Sequence, residues 1–174
     1  MPQTNPPPSI LTLEVLQQFR IIYGSMRQYF REVEERCGIS GAQAWALQEV
    51  ERSPGIRIGT LAERMGIHQS TCSLLVDKLT HDDLLEKRRG QSDRRSIGLY
   101  ITERGRTALR TLPGPAEGLL PDALSRLPEV ALKTLQINLS ELTRQLPGRS
   151  DAFAGMPLAD LLNNDDGRHE RPAR

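Results

Sequence analysis

The side chains most able to do chemistry in this sequence are the basic residues concentrated between Leu84 and Arg106. The chain as a whole has a formal net charge of only +1, so this excess is local. Lysine and arginine bind phosphate groups, and a cluster of them indicates a polyanionic partner. The positive residues are Lys87, Arg88, Arg89, Arg94, Arg95, Arg104 and Arg106, against the acidic Glu86, Asp93 and Glu103.

The residues before this basic segment are typical of two helices joined by a tight turn. A short helix is predicted from about Thr60 to Met65, Gly66 supplies the turn, and a second helix is predicted from His68 to about Thr80. Ala62 provides the small residue that such a helix pair needs where the two helices approach. The pattern therefore predicts a helix-turn-helix unit.

The second helix of this pair has one apolar and one polar face. Its apolar face contains Cys72, Leu75, Val76 and Leu79. The opposite face carries mostly short polar side chains, which suit a helix that enters the major groove of duplex DNA. That outer face contains Ser70, Ser73, Leu74, Asp77 and His81, with Thr71 and Lys78 at its margin.

A β-hairpin is predicted directly after the helix pair, from the strand-like segments Leu84–Arg88 and Ser96–Ile101. Its loop carries Arg94 and Arg95 beside Asp93. A guanidinium group on a turn can enter the minor groove while a neighbouring carboxylate holds its orientation. A helix-turn-helix followed by a basic hairpin is a winged helix.

These segments resemble the MarR family, the multiple-antibiotic-resistance type of regulator. The resemblance implies a homodimer whose interface is built from the first and last long helices and which binds a pseudo-palindromic site in double-stranded DNA. It also implies a role that is often repression, relieved by a small ligand or by oxidation. The matching runs are residues 70–79, 84–88, 92–95 and 99–105, including the Asp-Arg-Arg wing.

Three positions depart from the family pattern. Leu74 stands where many relatives carry a polar or basic residue, so it is expected to contact a thymine methyl group. His68 replaces the usual Ser or Asp cap, and Asp83 replaces a usual glycine. The predicted DNA-binding residues are Gln69, Ser70, Thr71, Ser73, Leu74, Lys78, Arg88, Arg94 and Arg95, with Asp93 supporting the wing.

The remaining helices are expected to build a dimer. A wide apolar band runs from Leu13 to Val33 and ends at Gly38, and the capping-box spacing of Ser40 and Gln43 predicts the next helix. The prolines between positions 113 and 121 predict a break or kink. A leucine seam then follows from Pro128, with intrachain packing as the alternative to dimerisation. Its members are Leu132, Leu135, Leu139, Leu142 and Leu146.

The predicted organisation is mostly α: a winged helix-turn-helix with a small β-hairpin wing and N- and C-terminal dimerisation helices. Residues 1–10 are expected to form a flexible arm and 11–146 the domain, with the DNA-binding winged-helix lobe at about 40–106. Residues 147–174, rich in Gly, Asp, Asn and Arg, are expected to form a flexible tail in which only Met156–Leu162 can form a brief helix.

A small aromatic or anionic effector is a further expected partner. Tyr23, Met26, Arg27 and Trp45 form a candidate pocket, suited to such a ligand if Arg27 points inward. Packing in the core and the dimer is the alternative for each residue taken alone. Cys37 is a candidate redox residue, although a helix C-terminus disfavours a thiolate.

Other classes of function find less support. His68 and Cys72 could form a metal pair, but a cap residue and a core thiol are favoured, because neither has a further His or Cys nearby in sequence. No phosphate-binding glycine loop or nucleophile set is present, so an enzyme, a metal site and a cofactor are not expected. No apolar run predicts a membrane span and the cysteines are few, which favours the cytoplasm. The alternative function is a winged-helix protein-interaction module without DNA binding, and the basic wing argues against it.

Overall fold

The computed structural model describes residues 9–89 and 97–163, which form a mostly helical protein with a two-stranded antiparallel sheet. The elements, in chain order, are α1 (Ile10–Cys37), α2 (Gly41–Arg52), α3 (Ile58–Met65), α4 (Gln69–His81), β1 (Leu85–Arg89), β2 (Ile97–Ile101), α5 (Glu103–Arg110), α6 (Leu119–Ser125), α7 (Glu129–Arg144), a 3-10 turn (Asp151–Gly155) and α8 (Leu158–Asn163). The fold class predicted from the sequence, a winged helix with a hairpin, is confirmed.

The first two helices begin and end where their local chemistry requires. The Ser9 hydroxyl accepts a hydrogen bond from the backbone N–H of Thr12, so α1 begins at Ile10, three residues before the predicted start. Gly38 ends α1 in the left-handed conformation, with φ of 67°. Ser40 and Gln43 form the predicted capping box in full, each side chain bonding to the backbone N–H of the other.

The core of the winged-helix lobe (residues 40–106) combines one face of each helix with the inner side of the hairpin. Leu47 and Val50 are fully buried, whereas Trp45 is half-buried. Tight burial of large aliphatic side chains is the main stabilising contribution in a lobe of this size. The largest fully buried side chains of the lobe are Leu47, Leu61, Leu79, Leu85, Leu99, Val50 and Val76.

The predicted helix-turn-helix is α3 and α4. Gly66 occupies the turn with φ of 64°, and the small Ala62 is buried where the helices meet. Helix α3 begins at Ile58, two residues earlier than predicted. Asp83, at the usual glycine position, has a positive φ of 58°, and its carbonyl accepts a hydrogen bond from the Thr102 hydroxyl.

The predicted hairpin is β1 paired with β2, in a register that runs from Leu85 opposite Ile101 to Arg89 opposite Ile97. Ile56 adds a single bridge to Leu99. The loop between the strands, with the predicted wing residues Asp93, Arg94 and Arg95, lies outside the described residues.

The predicted interruption near the prolines is confirmed, because α5 ends at Arg110 and α6 begins at Leu119. The intervening coil is fixed to α1 by Tyr29, whose hydroxyl donates to the Pro115 carbonyl at 2.7 Å. Burial, reinforced by nearby negative groups, raises the pKa of Tyr29 to about 12, so the hydroxyl remains a donor.

The ends of the domain leave apolar side chains uncovered. Only the C-terminal half of α1 is buried, and no residue of α7 is buried. The exposed apolar residues of α1 are Ile10, Leu11, Leu13, Val15, Leu16, Phe19, Ile21, Ile22 and Tyr23. In the leucine seam, Leu132, Leu139, Leu142 and Leu146 are exposed, and Leu146 lies beyond the end of α7.

The segment that follows α7 differs from the flexible tail expected of it. Asp151–Asn163 forms the 3-10 turn and α8, and α8 packs against α1 and α2. Ala159 and Leu162 are buried there. The brief helix expected within Met156–Leu162 is present as α8, and it depends on tertiary contacts because a six-residue helix is not stable alone.

Candidate nucleic-acid interface

Helix α4 presents its two faces as the sequence predicts. Cys72, Leu75, Val76 and Leu79 are buried against the lobe. The opposite face projects from the protein, and Leu74 at its centre is 73% exposed. An apolar side chain left this exposed on a folded lobe is free to contact a partner, and the thymine methyl contact expected of Leu74 needs such exposure.

The first two residues of α4 are exposed. Gln69 and Ser70 are exposed, and the N-cap residue His68 makes no side-chain capping bond. The Ser73 hydroxyl donates to the Gln69 carbonyl at 2.9 Å, which leaves its oxygen as an acceptor. Unsatisfied N–H groups and the helix dipole favour an anion at this end of α4.

The outer face of α4 also carries a negative charge, at Asp77, that would repel a phosphate. Lys87 of β1 neutralises it, with Nζ 2.6 Å from Asp77 Oδ1. This ion pair joins the hairpin to α4, and it was not predicted from the sequence. The only sequence signal was the place of Lys87 in the basic run, and its partner could not be read from spacing because the two residues are ten positions apart.

Arg88 is held on the outer side of the hairpin. Its guanidinium group lies 4.7 Å from the centre of the Tyr100 ring, and it also hydrogen-bonds to Glu86. The hydrogen bond to Glu86, more than any other interaction, raises the pKa of Arg88. Stacking and pairing fix this side chain in place while leaving it exposed, as the predicted DNA contact requires.

A buried carboxylate positions α3 relative to α2. Glu49 is 8% exposed, and it accepts hydrogen bonds from Arg52 at 3.1 Å and from Arg64 at 3.4 Å. Arg64 also donates to the Ser53 hydroxyl at 2.7 Å. Because α3 packs directly on α4, these bonds set the angle at which α4 is presented.

The four residues of the candidate effector pocket lie in different environments. Met26 is buried in the core and Trp45 is half-buried, whereas Tyr23 and Arg27 are exposed. Trp45 lines a narrow cavity whose other walls include Phe30. Tyr23, Met26 and Arg27 are not part of the lining of this cavity.

The two cysteines are free thiols in different surroundings. Cys72 is fully buried, with its sulfur 3.6 Å from the Ile58 carbonyl, and burial raises its pKa to about 11. Cys37 is half-buried at the end of α1, in a cleft of about 560 Å³ that is also lined by Arg36 and Arg104. Only Cys37 has the exposure that an oxidation-sensitive thiol needs.

Within residues 9–89 and 97–163, no three His, Cys, Asp or Glu side chains are grouped closely enough to hold a metal ion. Among the described helices, none combines the length and apolar character needed to cross a membrane.

Known proteins similar to this chain are transcription regulators. The model of the MarR family matches residues 37–96. The HTH-type transcriptional repressor MdtR of Bacillus subtilis (strain 168) is 23% identical over 68% of this chain and 77% of that protein. The HTH-type transcriptional regulator PetP of Rhodobacter capsulatus is 31% identical, but the match covers 38% of this chain and 40% of PetP.

Solved structures share the fold. A MepR-like protein crystallised with pseudoligands has a TM-score of 0.52 and 20% identity, over 75% of this chain and 92% of that one. The YusO protein of Bacillus subtilis has a TM-score of 0.50 and 20% identity, over 80% of this chain and 100% of that one. The likeness is one of fold, and it extends well beyond the winged-helix lobe.

Proposed function

We propose that this chain, which belongs to the MarR family of winged-helix transcription regulators, is a homodimeric repressor that binds a pseudo-palindromic duplex operator and is released by a small effector. DNA binding is assigned to the winged-helix lobe at about 40–106. Helix α4 would contact the major groove and its phosphates through Gln69, Ser70, Thr71, Ser73, Leu74 and Lys78. Arg88 would contact the DNA backbone. Arg94 and Arg95, supported by Asp93, would contact the minor groove.

The observation that carries this proposal is the outer face of α4. Its residues are mostly short and polar, Ser70, Leu74 and Asp77 are exposed, and the Asp77 carboxylate is neutralised by Lys87. A major groove about 12 Å wide admits one helix, provided that long side chains do not hold it away. The exposed Arg88 on the adjacent strand extends the positive surface towards the wing.

A homodimer is supported by the exposed apolar faces at both ends of the domain. Val15, Leu16 and Phe19 of α1 are each about 40% exposed, and Leu139 and Leu142 of α7 are 37% and 41% exposed. Two copies related by a two-fold axis can cover these faces with one self-complementary contact. The same axis would present two α4 helices to successive major grooves, which is why the operator is proposed to be pseudo-palindromic.

Repression is proposed because the similar protein MdtR carries the name of a repressor. An effector at the α1–α2 region, near Tyr23, Met26, Arg27 and Trp45, would act where the two ends of the domain join the winged-helix lobe. Oxidation of Cys37 is the alternative route of release, since it is the more exposed of the two thiols.

The direct test of the interface is the double variant Arg94→Ala/Arg95→Ala, titrated with a fluorescent duplex by anisotropy over a KCl series. We expect the free energy of binding to weaken by about one to a few kcal/mol. The slope of log affinity against log KCl concentration should decrease in magnitude by about one for each arginine that binds a phosphate in the unmodified protein. The matched control is Arg126→Ala/Arg144→Ala, which removes two exposed arginines, one directly after α6 and one at the end of α7, outside the winged-helix lobe.

Equal reductions of affinity in the two double variants would mean that net charge, not the wing, sets affinity. Duplex binding that is absent in the unmodified protein, together with retained dimerisation, would favour the protein-interaction module instead.

A further inference from the structure

The C-terminal segment, defined as Asp151–Asn163, returns to the winged-helix lobe after α7. Helix α8 contacts α2 and α1, and Ala159 and Leu162 are 2% and 9% exposed. The fit is close, because a Cβ atom added at Gly41 would lie 3.0 Å from the Cβ of Ala159. The segment therefore has a specific docked position on the lobe.

The same segment is tied to the beginning of α4. The backbone N–H of His68, the N-cap residue, donates to the Gly155 carbonyl at 3.0 Å. The His68 ring lies directly on Gly155, since a Cβ atom added there would be 2.1 Å from its Cδ2. Only glycine fits at position 155 while this contact is made.

Farther along α4, the segment places a carboxylate beside a residue predicted to bind DNA. Asp160 lines a cleft of about 330 Å³ together with Thr71, Leu74 and Lys78. Burial raises the pKa of Asp160, and the positive charge of Lys78 opposes that rise. An acidic group thus occupies the edge of α4 where a phosphate is expected.

A buried polar group at Gln43, without a hydrogen-bond partner in the part of the chain that the structure describes, favours opening of the cleft. Gln43 lines the cleft, and its side-chain nitrogen is buried and has no hydrogen-bond partner in the described residues. An unsatisfied buried donor costs free energy that water or a ligand recovers when the cleft opens. Helix α8 is also far too short to be stable without its tertiary contacts. Docking of the segment is therefore specific but easily reversed.

We propose that the C-terminal segment is an intramolecular competitor of DNA, which docks on the edge of α4 through Gly155 and Asp160 and must leave before α4 can engage a duplex fully. The inference rests on the proposed DNA-binding function. Covalent attachment gives the segment a high effective concentration, so weak contacts suffice for competition. DNA and the docked segment are then two ligands of one surface, and each weakens the binding of the other.

The first test uses Gly155→Val in the full chain to release the segment. Its matched control is Ala154→Val, which places the same side chain at an exposed neighbouring position. The backbone of Gly155 is not left-handed, so the change adds no backbone strain, and the atoms nearest to the added Cβ are those of the His68 ring. Trp45, the one tryptophan, lines a narrow cavity with Pro157 and Leu158 and reports docking. We expect stronger acrylamide quenching of Trp45 and an approximately 5- to 10-fold lower Kd for duplex in Gly155→Val, with neither change in Ala154→Val.

The second test removes only the charge, with Asp160→Asn compared with Asp151→Asn. Asparagine preserves the shape of the side chain, and Asp151 is an exposed carboxylate in the same segment. We expect a lower Kd for Asp160→Asn alone. This isosteric pair remains informative if circular dichroism shows that Gly155→Val perturbs the fold.

The outcomes separate the two proposals. If the unmodified protein binds duplex and neither Gly155→Val nor Asp160→Asn binds it more tightly, the competition is overturned and the proposed function stands. Unchanged Trp45 quenching in Gly155→Val would likewise overturn the docked position. If no form of the protein binds duplex, the proposed function fails and the inference that rests on it fails too.

Discussion

The winged-helix lobe and the terminal helices bear similar aliphatic side chains but bury them to very different degrees. Leu47 and Leu79 in the lobe are fully buried, whereas Leu139 and Leu142 of α7 remain 37% and 41% exposed. The lobe closes its core with α2 to α5 and the hairpin. In α7, the periodic leucines have no comparable partner within the described part of the chain. Apolar periodicity in a sequence therefore identifies a face to be buried, but not whether its partner lies in the same chain.

This contrast predicts that substitutions in the two regions impair different properties of the protein. A change in α7 should act on assembly and leave the lobe folded, while a change in the lobe core should act on folding itself.

The largest effect is expected from Leu139→Arg in α7. A charge buried in a dimer seam without a partner costs several kcal/mol in each subunit, so the dimer dissociation constant should rise on the order of 100-fold or more. Light scattering should show a monomer where the unmodified protein is a dimer. Thr134→Arg, on α7 but outside the seam, is the control that should remain dimeric. A monomeric unmodified protein, or a dimeric Leu139→Arg, would contradict the assignment of the seam.

Leu47→Ala should act on folding. Removal of a fully buried leucine leaves a cavity and lowers the free energy of unfolding by about 2–5 kcal/mol. Urea denaturation followed by circular dichroism measures this decrease. The variant should keep the mass of the unmodified protein in light scattering, and a failure to dimerise at unchanged stability would reverse the contrast between the two regions.

The smallest effect concerns the two thiols. Because burial raises the pKa of Cys72 from its ordinary value of 9.0 to about 11, only about 0.1% of it is thiolate at pH 8. An aromatic disulfide reagent should therefore titrate Cys37 promptly in the native protein and Cys72 only after unfolding. Since the unfolded chain releases the Cys72 proton first, the free energy of unfolding should fall as the pH rises from about 9 towards 11. Equal reactivity of both thiols in the native state would show that the lobe core opens readily.

Most element boundaries could be predicted because they depend on local chemistry. The Ser40–Gln43 capping box and Gly66 in the helix turn each specify a backbone conformation through neighbours within a few residues. The outer face of α4 follows from helical periodicity alone. These features need no knowledge of the rest of the fold.

What could not be predicted depends on contacts between distant positions. The pairing of Lys87 with Asp77 requires knowing how the hairpin sits on α4. Docking of the C-terminal segment depends on Gly155 and Ala159 fitting against His68 and Gly41, and small residues carry no periodic signal. The wing residues Arg94 and Arg95 lie outside the described residues, so their predicted roles stay predictions.

Sequence-specific DNA binding is measured by titrating the full chain against the duplex found upstream of its own coding sequence and against a shuffled duplex of equal length, over a KCl series. The protein should be a dimer that binds the upstream duplex more tightly at every salt concentration, with an affinity that falls steeply as salt rises. Equal affinity for the two duplexes, or an affinity independent of salt, would contradict this expectation.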